Sequence, residues 1–559
     1  MKKLCLSLCA SALLFAQEKA DESTTARIRS EEAEHSQLMH TLHMLTDRYG
    51  PRVTGTPNHE AAAKYLVEQF TKWGFKNVHL EPWDFGRPGW TNERASGFIV
   101  SPVKQNLKFE VLSWTPSTNG TVTASTVEIV PPQGPEIPVD PQTAALAAQF
   151  GGGGGGRGPQ RQGPTKEEFE KWVAENRDKV RGKIVLVGKH TVVPVNFNPP
   201  AKRRDEAQVR AQYDPDNPNG GRGGRGGFGG GGRGRGGQTD PNRMTTRQVL
   251  DGIDDMLIKG GALMRVNDAA RGEGIIVAQQ HAAYDPSKTV PTVVLRNDDY
   301  GRIERLLADG EDVKLEFNIV NKTYPEGKTS YNVIAEIPGS DKADEVVMLG
   351  GHLDSWHSGT GATDNAIGSS IMIEAARLIQ SLGLKPRRTV RVALWSGEEE
   401  GLLGSLAYVK QHFGSFEEPK PEFAKLDCYF NVDTGTGRLL GAGVFGPPAG
   451  AAVLRPVLKL YSDWGMAGAS ASNSRMVGGT DSTSFNNAGL PGIGMQQDPI
   501  EYNSMTHHTN LDTYERIIPE DVTRGAAIIA SAVWHVANRD EMMPRFTKET
   551  MPAPVPRGN

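Results

Sequence analysis

Cysteine is close to absent from this chain, with three in 559 residues. Cys5 and Cys9 sit in an opening apolar stretch and Cys428 stands alone, which excludes a disulfide-stapled scaffold and a thiolate-rich metal site. Charge of one sign is also lacking. A formal net charge of -4, with 23% charged residues, gives no general pull toward nucleic acid or an anionic membrane. Beyond the opening stretch, no run reaches the roughly 18 apolar residues of a membrane span, so no stable membrane insertion is expected. Three catalytic signatures are missing as well. His59-Glu60 is not followed by a second His four residues after the first, as a zincin helix requires. No Gly-x-Ser-x-Gly elbow follows a strand-like run, and the Gly-rich tracts lack the strand-to-helix context of a nucleotide loop.

A length of 559 residues predicts two or three domains. Lys2 and Lys3 precede the apolar, small-residue stretch Leu4 to Ala16 and then a charged run, the layout of a secretory signal peptide over residues 1–16. That predicts an exported protein, periplasmic or extracellular, and Leu8 before Cys9 fits a free protein better than a lipid-anchored one. Residues 17–120 read as the N-terminal part of a catalytic domain, with helical spacing from Glu31 to Tyr49 and from Asn58 to Trp73 around a turn at Gly50 to Pro57. Strand-like runs follow near Val78, Phe98 and Phe109. An accessory β-rich unit is expected over 121–322, with short β runs at Lys183 to Val187, Leu263 to Val266 and Thr292 to Leu295. A helix at Asp298 to Leu307 and a strand at Val313 to Val320 complete it. Two Gly/Arg-rich segments, 151–164 and 217–238, interrupt this unit. Such sequence loses too much backbone entropy for too little burial to pack, and tolerated surface loops are a better reading than an RNA-binding tract. No nucleic-acid partner is expected.

From Tyr331 the pattern turns to βα alternation through 323–541, before a Pro-rich tail, 542–559, that need not fold. Apolar strands at Asn332 to Pro338, Val346 to Leu349, Thr389 to Trp395 and Tyr429 to Val432 alternate with helices at Ala366 to Leu382, Gly404 to His412, Ala451 to Tyr461 and Val522 to Arg539. The fold class this predicts is α/β: a mixed, mostly parallel central sheet flanked by helices.

The chemistry lies at the ends of these strands. His352 and Asp354 follow the strand ending at Leu349, Glu398 and Glu399 the one ending at Trp395, and Asp433 the one ending at Val432. In open α/β sheets such ends line one crevice. Asp364 stands on a Gly-rich turn just before a helix, and His508 follows much later. Two divalent ions some 3.5 to 4 Å apart repel each other, and a carboxylate between them is the natural bridge, a role that suits Asp364. His352 and Asp433 are then assigned to one ion, Glu399 and His508 to the other, a borderline N and O donor set typical of zinc. A bridging water or hydroxide would be the nucleophile. One of the adjacent Glu398 and Glu399 can hold metal while the other faces substrate, and Glu398 is taken as the general base. Asp354, two residues past His352, is placed to accept its other ring N–H.

The motifs Gly350-Gly351-His352-Leu353-Asp354-Ser355-Trp356, Gly361-Ala362-Thr363-Asp364-Asn365, Leu394-Trp395-Ser396-Gly397-Glu398-Glu399-Glu400-Gly401, Asn431-Val432-Asp433 and His508-Thr509-Asn510-Leu511-Asp512-Thr513 together resemble the dizinc aminopeptidases, in particular their carboxypeptidase Q-like branch. The likeness extends to Arg52-Val53-Thr54-Gly55. The resemblance implies a zinc-dependent exopeptidase fold with two Zn2+ per chain held by His352, Asp364, Glu399, Asp433 and His508, with Glu398 as base. It also implies that the middle unit resembles an inserted protease-associated domain, and that the segment from Gly479 to Phe485 shapes the substrate pocket. Asp481 and Asp512 are expected behind the ligands, and Tyr502 or His507 as donors to the oxyanion. His357 stands where relatives often carry an acid, and is expected at the rim or facing solvent. The activity implied is hydrolysis of N-terminal bonds in peptides or dipeptides. The competing reading is a peptidase-fold receptor or binding protein without catalysis, but such relatives lack the metal ligands that are all present here.

Overall fold

The computed structural model describes residues 19–137, 161–197, 201–214 and 240–554. The signal-peptide reading, the 217–238 tract and most of 151–164 lie outside the described residues. Within the latter, Arg161 pairs with Glu136 across an isolated bridge.

One eight-stranded sheet carries the candidate site. Its strands are β1 (Lys76–Asp84), β2 (Thr329–Ile337), β3 (Lys342–His352), β4 (Arg388–Trp395), β5 (Leu426–Asn431), β6 (Leu439–Phe445), β7 (Gly468–Ser472) and β8 (Gly492–Gln497). They lie side by side in the order β1-β2-β4-β3-β5-β8-β6-β7. The central strands β4, β3, β5 and β8 run parallel, whereas β1, β2 and the β6–β8 pairing are antiparallel. Two-residue alternation divides the apolar side chains between the faces. Val347, Leu349, Val390, Val392 and Phe430 join the core made with helices Pro57–Lys72, Ile367–Ser381 and Pro519–Ala537. Met348, Ala393, Trp395 and Tyr429 face the opposite way, onto Tyr408, Val409 and Phe485. Both faces are thus covered, and the strand ends are left to chemistry.

A second eight-stranded sheet contains the short strands expected within 121–322, but it also takes in Gly89–Ser101, Gln105–Asn106 and Phe109–Val111. Gly89–Ser101 pairs along its length with Lys314–Tyr324. Its core is continuous with the first domain: Val53, Trp83 and Trp356 pack in one cluster with Trp90, Ile184, Val266 and Phe317. A separate protease-associated insertion is therefore not discernible. The tail, which need not fold on the sequence reading, is held against the rest of the chain as far as Pro552. The Met543 N–H donates to Asp427, the ring of Phe546 meets that of Phe445, and Arg475 donates to the carbonyl of Pro552. Among the described residues, no helix is long and apolar enough to cross a membrane.

Candidate metal centre

His352 is the last residue of β3, Glu398 and Glu399 follow β4, and Asp433 follows β5, so three parallel neighbours deliver their side chains to one rim. Asp364 comes from the turn entered through Gly361 in the left-handed region (φ 64°), just ahead of the Ile367–Ser381 helix. His508 comes from the segment after β8. All the residues expected at the centre are brought together.

Asp364 divides its carboxylate. Oδ1 lies 3.3 Å from Nε2 of His352, and Oδ2 lies 3.3 Å from Nε2 of His508. On the first side, Nε2 of His352 is also 3.4 Å from Asp433 Oδ1; on the second, Nε2 of His508 is 2.9 Å from Glu399 Oε2. The potential ligand atoms form three groups, each within 4.8 Å: His352, Glu398 and Asp433; His352, Asp364 and Glu399; Asp364, His507 and His508. Ligands about 2.0–2.1 Å from a tetrahedral ion stand roughly 3.3 Å apart, which is the spacing seen here. His352 Nε2, Asp364 Oδ2, Asp433 Oδ1 and both oxygens of Glu399 are buried and lack a hydrogen bond of proper geometry. Burial, reinforced by neighbouring carboxylates, drives the pKa of Glu398 and Glu399 well up. Burial opposes the charged form of His352, but Asp433 and Glu398 prevail and push its pKa well up too. Crowded buried carboxylates with orphaned oxygens are a donor set that divalent cations relieve, and the residues fit a dinuclear zinc site.

The supporting residues are as informative as the ligands. His352 Nδ1 donates to the backbone carbonyl of Asp354 at 3.0 Å, whereas the Asp354 carboxylate expected in that role is 3.6 Å away. That carboxylate instead accepts from the Thr54 hydroxyl and the Glu399 backbone N–H, tying the β3 end to the β4 end. Asp512 accepts the backbone N–H groups of Thr363 (2.6 Å) and Asp364 (3.1 Å), so it shapes the turn that presents Asp364. Burial raises the Asp512 carboxyl to about 7. Asp481, at the start of the Ser482–Asn487 helix, is fully buried with neither oxygen well hydrogen-bonded, and burial lifts it to about 7. The rings of Tyr502 and His507 meet at a tilt, 4.8 Å between centroids, and those of His507 and His508 likewise at 3.7 Å. His357, half-buried, is held by the protein: its Nε2 donates to the carbonyl of Val111 and its ring meets Trp90 edge-on.

Two residues escaped sequence reasoning. The Gln279 side-chain amide, from the second sheet's unit, meets Nδ1 of His508 at 2.9 Å. Arg52 is fully buried and donates to the carbonyls of Leu45, Leu353, Thr360 and Gly361, clamping both motif-bearing turns. Its place in Arg52-Val53-Thr54-Gly55 was a signal; a lone Gln gives none.

Residues 332–533 match the sequence model of peptidase family M28. Carboxypeptidase Q of Mus musculus is 32% identical over 256 residues, which cover 46% of this chain and 52% of that protein, so the match spans about half its length. The crystal structure of a peptidase M28 precursor from Shewanella amazonensis superposes with a TM-score of 0.60 at 22% identity, covering 94% of this chain and 98% of that one. BSAP, a zinc aminopeptidase from Bacillus subtilis, gives a TM-score of 0.51 at 16% identity, covering 92% and 98%. The grouped side chains at the rim fit a dinuclear metal centre. The chain has the fold of these two structures, and its residues 332–533 relate it distantly to family M28 and to carboxypeptidase Q.

Proposed function

We propose that this protein is a zinc-dependent exopeptidase, an aminopeptidase or dipeptidase acting on N-terminal peptide bonds. The observation that carries the reading is the division of Asp364 between His352 with Asp433 and His508 with Glu399. These residues would hold two ions, which when bound supply Lewis acidity and make water acidic enough to act as a nucleophile near neutral pH. Glu398 takes the proton of the attacking water and returns it to the leaving amine. Burial keeps the Tyr502 phenol protonated, so it serves as a donor to the developing oxyanion, with His507 beside it. Carboxypeptidase Q and the zinc aminopeptidase are named as a carboxypeptidase and an aminopeptidase, which supports a peptidase here. In this reading the second sheet is the counterpart of a protease-associated domain, grown into the catalytic core, and the protein is exported through Lys2 to Ala16. N-terminal sequencing of secreted material tests the export; an intact Met1 contradicts it.

The activity is tested with aminoacyl anilides and free dipeptides, with and without chelator. Turnover lost on chelation and restored by zinc is the expected result. Turnover indifferent to chelator, or restricted to internal peptide bonds, would overturn the proposal.

A further inference from the structure

Away from the metal ligands, a cavity of about 260 Å³ opens beside the edge strand β7. Its walls come from helix Glu206–Tyr213, the start of β6, helix Pro448–Lys459 and the turn at Ser462 to Gly468. Arg210, Arg438, Arg455 and Lys459 line it, and Glu206 is the one carboxylate among the lining residues. We propose that this cavity is a binding site for a small multivalent oxyanion of the phosphate or phosphomonoester class.

Only part of the charge is met by the protein itself. Glu206 is shared at long range, 3.4 Å from Arg438 and 3.8 Å from Arg210. Charge-assisted bonds between fully engaged partners are shorter, about 2.7–2.9 Å. Nε of Arg438 is buried without a hydrogen-bond partner. Arg455 is anchored through its Nε on the carbonyl of Ala469, which leaves its terminal nitrogens for an occupant. Among the described residues, neither Arg455 nor Lys459 forms an ion pair. Gly465, in the left-handed region at φ 90°, lets the Arg438 guanidinium close in, since a Cβ there would fall 2.8 Å from Nη1. Four basic side chains line one cavity against a single carboxylate, and Arg forks match tetrahedral oxyanions two bonds at a time. The size agrees. Pockets for drug-sized ligands run from roughly 300 to 1,000 Å³, so the occupant here is small. Tyr213 and Leu440 give the wall an apolar part, suited to the carbon side of a phosphomonoester.

The test is calorimetric titration of the full-length, zinc-loaded protein with inorganic phosphate and, separately, with glycerol phosphate. Saturable binding to the wild type is expected. Arg455→Gln and Lys459→Gln each weaken it about tenfold, and Glu206→Gln tightens it by removing the competing carboxylate. Opposite signs from substitutions on one cavity cannot come from a general loss of fold. A tighter complex with glycerol phosphate assigns an organic phosphate, and a tighter complex with inorganic phosphate assigns the free ion. Binding that is identical in wild type and all three variants belongs to another site and overturns the proposal, as does no binding of either probe.

Discussion

The Gln279 amide meets Nδ1 of His508 at 2.9 Å, across 229 residues of sequence. The structure sets the amide nitrogen, Nε2 of Gln279, against Nδ1; turning the amide over brings its oxygen there, so that Nδ1–H donates and Nε2 of His508 keeps its lone pair toward Glu399 and Asp364. The loop that carries Gln279 is tied in place around it. Asn510 pairs with Ile276 through backbone and side chain, and Ser113 donates to the Gln279 carbonyl. The second sheet thus completes the candidate metal centre rather than standing beside it.

Gln279→Ala should weaken zinc binding about 10- to 100-fold, the usual effect of removing a partner of a metal-bound imidazole. Competition with a zinc-chelating dye measures this. Unchanged affinity would reduce the contact to packing.

Glu398→Gln should retain the metal and lose turnover by about 10²- to 10⁴-fold, with KM little changed. Elemental analysis beside steady-state kinetics separates the two effects. A variant that loses its ions would make Glu398 a ligand, a role its place with His352 and Asp433 leaves room for.

Arg52→Met should destabilise the fold by about 3–5 kcal/mol, because removing the guanidinium strands the buried carbonyls it serves on both turns. Denaturant titration of the zinc-free protein reads this without the contribution of bound metal.

Glu32 supplies a pH dependence far from the centre. Burial first, then the neighbouring charge of Glu374, raises its carboxyl to about 9, while Oε2 has no hydrogen-bond partner. The folded state therefore holds a proton that the unfolded chain releases near 4.5. Its contribution is fully present below that value and is lost as pH rises toward 9. Glu32→Gln should raise the melting temperature relative to wild type at pH 8, and the advantage should vanish at pH 4. Thermal unfolding at the two pH values decides it.

Much of this was legible in the sequence because it rests on local pattern. The runs at Val346 to Leu349, Thr389 to Trp395 and Tyr429 to Val432 are strands buried on both faces, and such strands read as continuous apolar sequence. Polar groups just past their ends could be placed on one rim by topology alone. β6, β7 and β8 were missed because Leu-Leu-Gly-Ala-Gly-Val-Phe, Gly-Ala-Ser-Ala-Ser and Gly-Ile-Gly-Met-Gln-Gln are rich in small residues and poor in β-branched ones. The helix expected from Glu31 to Tyr49 is instead Glu22–His35, Leu38–His43 and a π turn at Met44–Arg48, broken at Ser36 and Gln37. Long-range partners such as Gln279 follow no spacing, since only folding brings them near.

Zinc content per chain in Asp364→Ala, set against wild type, tests the central claim most directly. A shared carboxylate predicts two tightly held ions in the wild type and the loss of both in the variant. A variant that still binds two ions tightly would contradict it.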